Sequence, residues 1–369
     1  MIRVFEPYIS AKDVFSVAKS VLKKDISGSS NEVKIFEENL AKYFDRKYAV
    51  CLSNGSVSLD AAFQTLNLKK GDEVILPTFT IISCLAAVLR SGATPVFCDV
   101  DNKSWNLNID DVKPLITNKT KVILIVHTYG LTVKADDFED LCRKRNIALV
   151  EDAAEAHGQK IDTRKIGSFG LMSTFSFYAN KHITTGEGGA VLTDSEEIYK
   201  KLLQIRNLDF DAKKRFEHEN LFWNYRMSGL QAALGNSQLE KLDQIIKNKI
   251  KQANYYNKLI KKANLDIQTH PKSFKGIKNH YWVYGVVLNK KFDRNNIMKY
   301  LYDNNIETRP FFKPLHLQEA YKENSEKKIY PISEFIGQQG LYLPLGSHMN
   351  KLKQNRIIKI LNQALQFYL

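Results

Sequence analysis

The chain has 369 residues, 44% of them apolar, and carries 54 Lys and Arg against 40 Asp and Glu, a formal charge of +14. That length and apolar share supply a sizeable core and exclude a disordered or fibrous chain, leaving one large domain with an appendage or two domains. No run approaches the ~18 apolar residues of a membrane span, and Met1-Ile2-Arg3-Val4-Phe5-Glu6-Pro7 lacks the basic start and apolar stretch of a secretory leader, so a soluble cytoplasmic protein is expected.

The positive excess does not point to nucleic acid. Its lysines are spread along amphipathic stretches such as Leu239-Glu240-Lys241-Leu242-Asp243-Gln244-Ile245-Ile246-Lys247, and no basic block is interleaved with stacking aromatics. A mild attraction for an anionic small molecule is the inference that remains. Cys51, Cys84, Cys98 and Cys142 stand singly in apolar or helical stretches, without a Cys-x-x-Cys pair or a His partner at metal spacing, and are expected to be reduced structural thiols with no metal.

Taken in order, Asn31 with Val33, Phe36, Leu40 and Phe44 predicts a capped helix with one apolar face, followed by a short buried strand at Tyr48–Leu52. Ser53-Asn54-Gly55-Ser56 then opens a helix that runs through Leu66. A strand, a glycine turn and a helix start expose unpaired N–H groups at a positive dipole end, which suits a phosphate. The same residues also suit an ordinary N-cap. Strands over 73–77, 94–99, 121–126 and 147–152 alternate with helices around 84–89 and 136–145. Near-continuous apolar strands separated by helices predict a mostly parallel sheet covered on both faces, with ligands beyond the carboxyl ends of its strands. Asp152 ends one such strand and either caps the next segment or faces a ligand.

At Thr174-Phe175-Ser176-Phe177 apolar and polar residues alternate, and Lys181 follows among small polar residues before the turn Thr184-Thr185-Gly186-Glu187-Gly188-Gly189. This reads as a strand delivering an amine to a pocket, although a solvated loop lysine gives the same pattern. Past Asn224-Tyr225-Arg226-Met227 a long helical stretch, 228–262, leads out of the large unit. A strand over 281–288, a helix near 294–304, the loop Thr308 to His316 and a closing helix from about Gln354 form a small α/β unit. The domains are drawn as 1–240 and 241–369.

Seven blocks, in order, resemble the DegT/DnrJ/EryC1/StrS family of sugar aminotransferases that use pyridoxal 5'-phosphate (PLP). They are Ser53-Asn54-Gly55-Ser56, Gly71-Asp72-Glu73-Val74-Ile75, Gly92-Ala93-Thr94-Pro95-Val96, Glu151-Asp152-Ala153-Ala154-Glu155-Ala156, the Lys181 segment, Asn224-Tyr225-Arg226-Met227 and Thr308-Arg309-Pro310. The resemblance implies the aspartate-aminotransferase fold (fold type I): a large α/β domain with a mostly parallel sheet and a small C-terminal α/β domain. It implies that Lys181 carries PLP through an imine and moves the proton, that Asp152 pairs with the pyridine nitrogen, and that Glu155 lies near the ring hydroxyl. Gly55, Ser56 and Ser176 match the phosphate-binding positions. Asn224 matches a residue that reaches the neighbouring subunit's phosphate, so a homodimer with shared sites is expected.

Relatives commonly set an aromatic ring on the cofactor face where this chain has Ile81, with Phe79 as a possible substitute. The related dehydratases replace the lysine with histidine, so lysine at 181 favours transamination through PLP and PMP. His182 is expected on the opposite face by strand alternation. The implied reaction moves the amino group of L-glutamate to C4 of a nucleotide-linked 4-keto-6-deoxyhexose, the likeness being nearest to the branch that makes GDP-perosamine from GDP-4-keto-6-deoxy-D-mannose, a surface-polysaccharide precursor. UDP- or dTDP-4-keto-6-deoxyglucose is the alternative substrate, and a non-catalytic regulator keeping the fold the alternative role. Arg309, Lys313 and His316 are the candidate substrate residues, with surface loop positions as the competing reading.

Overall fold

The computed structural model describes residues 1–210, 216–324 and 328–369. Apolar runs too short for helices build one seven-stranded sheet. Its strands are β1 (Tyr48–Leu52), β2 (Glu73–Pro77), β3 (Thr94–Cys98), β4 (Thr120–Val126), β5 (Ala148–Asp152), β6 (Met172–Ser176) and β7 (Gly189–Thr193), in the spatial order β1-β7-β6-β5-β4-β2-β3. Only β7 runs against the other six, pairing antiparallel with both β1 and β6.

Strand alternation divides the core in two. On one face Ile75, Ile123, Ile125 and Leu149 pack with Phe36 and Leu40 of α2 (Asn31–Tyr43) and Phe138 of α5 (Ala135–Arg145). On the other, Val74, Leu76, Leu124 and Val150 pack with Leu59 and Phe63 of α3 (Gly55–Thr65), Val88 of α4 (Ile82–Arg90) and Leu202 of α6 (Glu196–Arg206). Each fully buried aliphatic side chain of this kind stabilises by roughly 1.5–3 kcal/mol, so β4 and β5, covered on both faces, anchor the sheet. An additional helix, α1 (Ala11–Leu22), precedes α2, with Val14, Phe15 and Leu22 exposed on it.

The stretch over 228–262 is two helices, α7 (Gly229–Leu239) and α8 (Leu242–Ala263), broken at Glu240-Lys241. Leu242, Ile245 and Ile246 of α8 belong to the large core, whereas Ala253, Tyr256 and Ile260 belong to the small one, so the helix physically bridges them. The small unit is a four-stranded sheet, β8 (Ile267–Thr269), β9 (Tyr284–Leu288), β10 (Arg309–Pro310) and β11 (Gly340–Leu343), ordered β8-β9-β11-β10. It is covered by α9 (Arg294–Asp303), α10 (Pro331–Gln339) and α11 (Lys351–Phe367). Ile2 bridges in parallel to Ile306 and lies in the small core, so the first residues pack with the second unit.

The strand expected over 281–288 begins only at Tyr284, because Tyr281 adopts a left-handed φ of 52°. An aromatic cluster including Phe79, Trp105, Tyr129, Trp282, Phe311 and Tyr342 fills the seam between the units.

Candidate active site

The carboxyl ends of β1, β2, β4, β5 and β6 converge on one cavity of about 610 Å³, lined among others by Gly55, Ser56, Ile81, Asp152, Glu155, Ser176 and Lys181. The small unit closes it with Trp282, Arg309, Phe312 and Tyr342. Five large-unit strands and one small-unit wall thus meet where a doubly wound sheet places ligands.

At one end stands the amino terminus of α3. Asn54 is its N-cap, its side chain accepting from the Val57 N–H at 2.9 Å, so the cap reading is correct. The cap takes the Val57 N–H, while Gly55 and Ser56 at the start of this eleven-residue helix line the cavity, a ready anion site. Gly55 is required by close approach, since a Cβ there would lie 2.6 Å from the Ser176 Cβ. Ser56 Oγ contacts Ser83 Oγ at 2.6 Å, which adds a second hydroxyl to the same end.

At the other end lie two neighbouring acids with divided roles. Glu151 faces the core, accepting from the Gly167 and Phe169 N–H groups and from His127 Nε2 at 3.1 Å. Strand alternation therefore turns Asp152 into the cavity. Asp152 is buried and accepts only the Ala154 N–H (3.1 Å) and the Cys84 thiol (3.4 Å), with no cationic side chain within ion-pair distance among the described residues. Burial pushes its carboxyl up, only partly offset by those donors and by the more distant Lys181 charge.

Lys181 Nζ stands 3.6 Å from Glu155 Oε1. Burial pushes the amine down while Glu155 and Asp152 hold it up. Glu155 also accepts the Tyr129 N–H at 2.8 Å, and burial raises its carboxyl from the ordinary 4.5 to about 7. Between those two values the folded state keeps a proton at Glu155 that the unfolded chain has released. Glu155 therefore makes the cofactor-free protein lose stability as pH rises from about 4.5 to about 7. The expected result is that Glu155→Gln flattens this part of the stability curve, checked by urea unfolding of both proteins across that range; parallel curves would refute it.

Three expectations need correction. His316 is no free substrate ligand: it is buried, with Nδ1 2.6 Å from Thr78 Oγ1 and Nε2 3.1 Å from Glu334 Oε1. Both ring nitrogens are committed to holding the loop against β2. Lys313 is exposed and outside the cavity, while half-buried Arg309 does line it. His182 is buried 5.8 Å from His157, away from this cavity, but not through strand alternation, since the strand ends at Ser176 and the residues near 182 form bends.

Ile81 lines the cavity and Phe79 does not; Phe79 is fully buried against Tyr129, Phe311 and Phe312. Asn224 is exposed and not among the residues lining this chain's own cavity, flanked by Trp223 at 67% exposure and near Leu221 at 98%. Sequence reading missed Trp282, Phe312 and Tyr342, for which periodicity offers no signal.

The residues fit PLP. A helix start with two serines suits its phosphate, and a buried carboxylate lacking a cation suits its protonated ring nitrogen at the far end. The amine between them suits its aldehyde.

A family model described as the DegT/DnrJ/EryC1/StrS aminotransferase family matches residues 9–362. The chain is 37% identical over 346 residues to GDP-perosamine synthase of Vibrio cholerae, covering 93% of this chain and 94% of that one. It is 36% identical over 367 residues to GDP-perosamine synthase of Escherichia coli O157:H7, covering 100% and 98%. Among solved structures, Helicobacter pylori PseC, an aminotransferase involved in the biosynthesis of pseudoaminic acid, matches with a TM-score of 0.94 at 25% identity over 99% of both chains.

Proposed function

The chain belongs to the DegT/DnrJ/EryC1/StrS aminotransferase family and has the fold type I architecture, and from that premise we propose that it aminates C4 of GDP-4-keto-6-deoxy-D-mannose, giving GDP-perosamine with L-glutamate as donor. That it is a PLP-dependent aminotransferase of sugar nucleotides follows from the family. The particular sugar and base rest on likeness to the two GDP-perosamine synthases.

The observation that carries the chemistry is the buried Asp152 carboxyl, without an ion-pair partner among the described residues, facing the same cavity as the buried Lys181 amine. Gly55, Ser56 and Ser176 would hold the cofactor phosphate, Asp152 its ring nitrogen, Glu155 the region of its hydroxyl, and Ile81 one face. When bound, the cofactor supplies a ring that takes up the electron pair of a deprotonated carbon. Lys181, which burial biases toward its neutral form, would remove and return that proton. Glu155, 3.6 Å away, supplies the charge that faces it.

Arg309, at the cavity mouth, is the cation offered to the substrate's diphosphate. The apolar exposure around Asn224 supports a homodimer in which this segment completes the neighbouring site. No helix among the described residues is long and apolar enough to cross a membrane.

The test is to offer purified protein GDP-, UDP- and dTDP-4-keto-6-deoxyhexoses with glutamate and weigh the products. A GDP-linked 4-amino sugar formed at least tenfold faster than the others is expected. Preference for UDP or dTDP would overturn the chosen substrate. A visible band unmoved by glutamate would overturn the donor.

A further inference from the structure

One wall of the cavity is unused by the chemistry above: the indole of Trp282, whose ring centroid lies 3.9 Å from Lys181 Nζ. Its placement is over-determined. The indole N–H donates to the Asn180 carbonyl at 2.9 Å, the residue just before the reactive lysine. The Trp282 carbonyl accepts from Lys249 Nζ at 2.8 Å. The backbone of 281–282 presses on Gly130, where a Cβ would stand 2.3 Å from the Trp282 nitrogen and where φ is +91°, so only glycine fits. Trp282 is 5% exposed and Lys249 is 8% exposed.

We propose that Trp282 is a positioning residue for Lys181: its ring face is the resting place of the amine whenever that amine is neither joined to the cofactor nor moving a proton. This rests on the aminotransferase reading above. A buried lysine has a flexible four-carbon stem, and a proton carrier that wanders loses rate steeply with misplacement. The ring gives the amine one fixed place, opposite Glu155, and attracts its cationic form through the negative π face.

Lys249 acts on Lys181 in the opposite sense. It lines a neighbouring cavity of about 390 Å³, which Asn180 and Lys181 line as well, and burial together with the Lys181 charge pushes it to about 7. Like charges repel reciprocally, so a charged Lys249 disfavours the charged form of Lys181. The other groups facing Lys181 are Asp152 and Glu155, which hold its proton on, and His157, itself held near 3 by burial. Arg309, Tyr342 and Glu187 line the same cavity.

The decisive experiment titrates Lys181 in the cofactor-free protein, by the pH dependence of its arylation with fluorodinitrobenzene read by peptide mass spectrometry. Tryptophan is replaced throughout by mono-, di- and tetrafluorotryptophan, which keep shape while weakening the ring's negative face. The chain has three tryptophans, so the same series in Trp282→Phe is the control. The expected result is a stepwise fall of the Lys181 pKa with fluorination, reaching about 0.5–1.5 units, and no trend in Trp282→Phe. Lys249→Met is expected to move it the other way, upward.

In the loaded enzyme, Trp282→Leu should slow the single-turnover reaction with glutamate about tenfold while the glutamate KM changes less than about threefold. A fluorine series that leaves Lys181 unmoved, or moves it equally in Trp282→Phe, overturns the proposal. So does a Lys249→Met shift downward. Because the titration needs neither sugar nor cofactor, it fails independently of the substrate assignment.

Discussion

Lys181→Ala is expected to lower turnover on the order of 10⁴-fold, the upper end of what one positioned acid–base group contributes. It should also abolish borohydride fixation of the cofactor to the chain. Cofactor affinity should persist in part, because the α3 amino terminus, Ser176 and Asp152 are untouched by the change. The rival acceptor among the described residues is Lys249, which burial pushes down to about 7. It lines a neighbouring cavity and spends its amine on the Trp282 carbonyl at 2.8 Å. Peptide mapping after reduction separates the two. A label on the Lys249 peptide, or a Lys181→Ala enzyme within tenfold of the parent, would sink the assignment.

Asp152→Asn should move activity and stability in opposite directions. The cofactor-free protein holds a buried carboxyl on one N–H and one thiol, with no cation at ion-pair distance among the described residues, an arrangement whose desolvation costs free energy. Asparagine keeps the acceptor for Ala154 and removes that cost, so the melting temperature of the cofactor-free variant should equal or exceed that of the parent. Turnover should nonetheless fall about 10²–10³-fold, the scale seen when one preorganised electrostatic partner is removed, since a neutral amide no longer keeps the ring nitrogen protonated. Calorimetry on cofactor-free protein and stopped-flow reaction with glutamate give the two readings. Activity within threefold of the parent would show that Asp152 does not support the ring.

In the large sheet, β7 runs the other way directly after the glycine turn that follows Lys181, and in the sequence it reads as part of that turn. The sequence made the parallel strands legible because they are continuous apolar runs whose carboxyl ends the sheet carries to one edge. That is why Asp152 and the glycine turn at Gly55 could be placed from spacing, and why Lys181 stood out as an amine beyond a strand. Their individual roles came from resemblance. What stayed illegible was whatever depended on two distant segments meeting. Trp282 reaches Lys181 only because Gly130 admits the backbone of 281–282 and the left-handed Tyr281 delays β9. His316 misled for the complementary reason. A histidine in a Pro-rich loop has the chemistry of a ligand, and only tertiary burial against Thr78 and Glu334 reveals a structural pair. The break between α7 and α8 was hidden because its residues, Glu240 and Lys241, are good helix formers; Lys241 instead reaches Asp13 at 2.7 Å.

The parallel bridge from Ile2 to Ile306, reinforced by the Val4 N–H on Glu307 Oε2 at 3.0 Å, has a bearing on biogenesis. At translation speeds of ~5–20 residues per second the Ile2–Val4 stretch is made roughly 15–60 s before the segment it pairs with. Throughout that interval Ile2 and Val4 lack the partners that bury them in the folded chain, and the two apolar side chains are open to a chaperone.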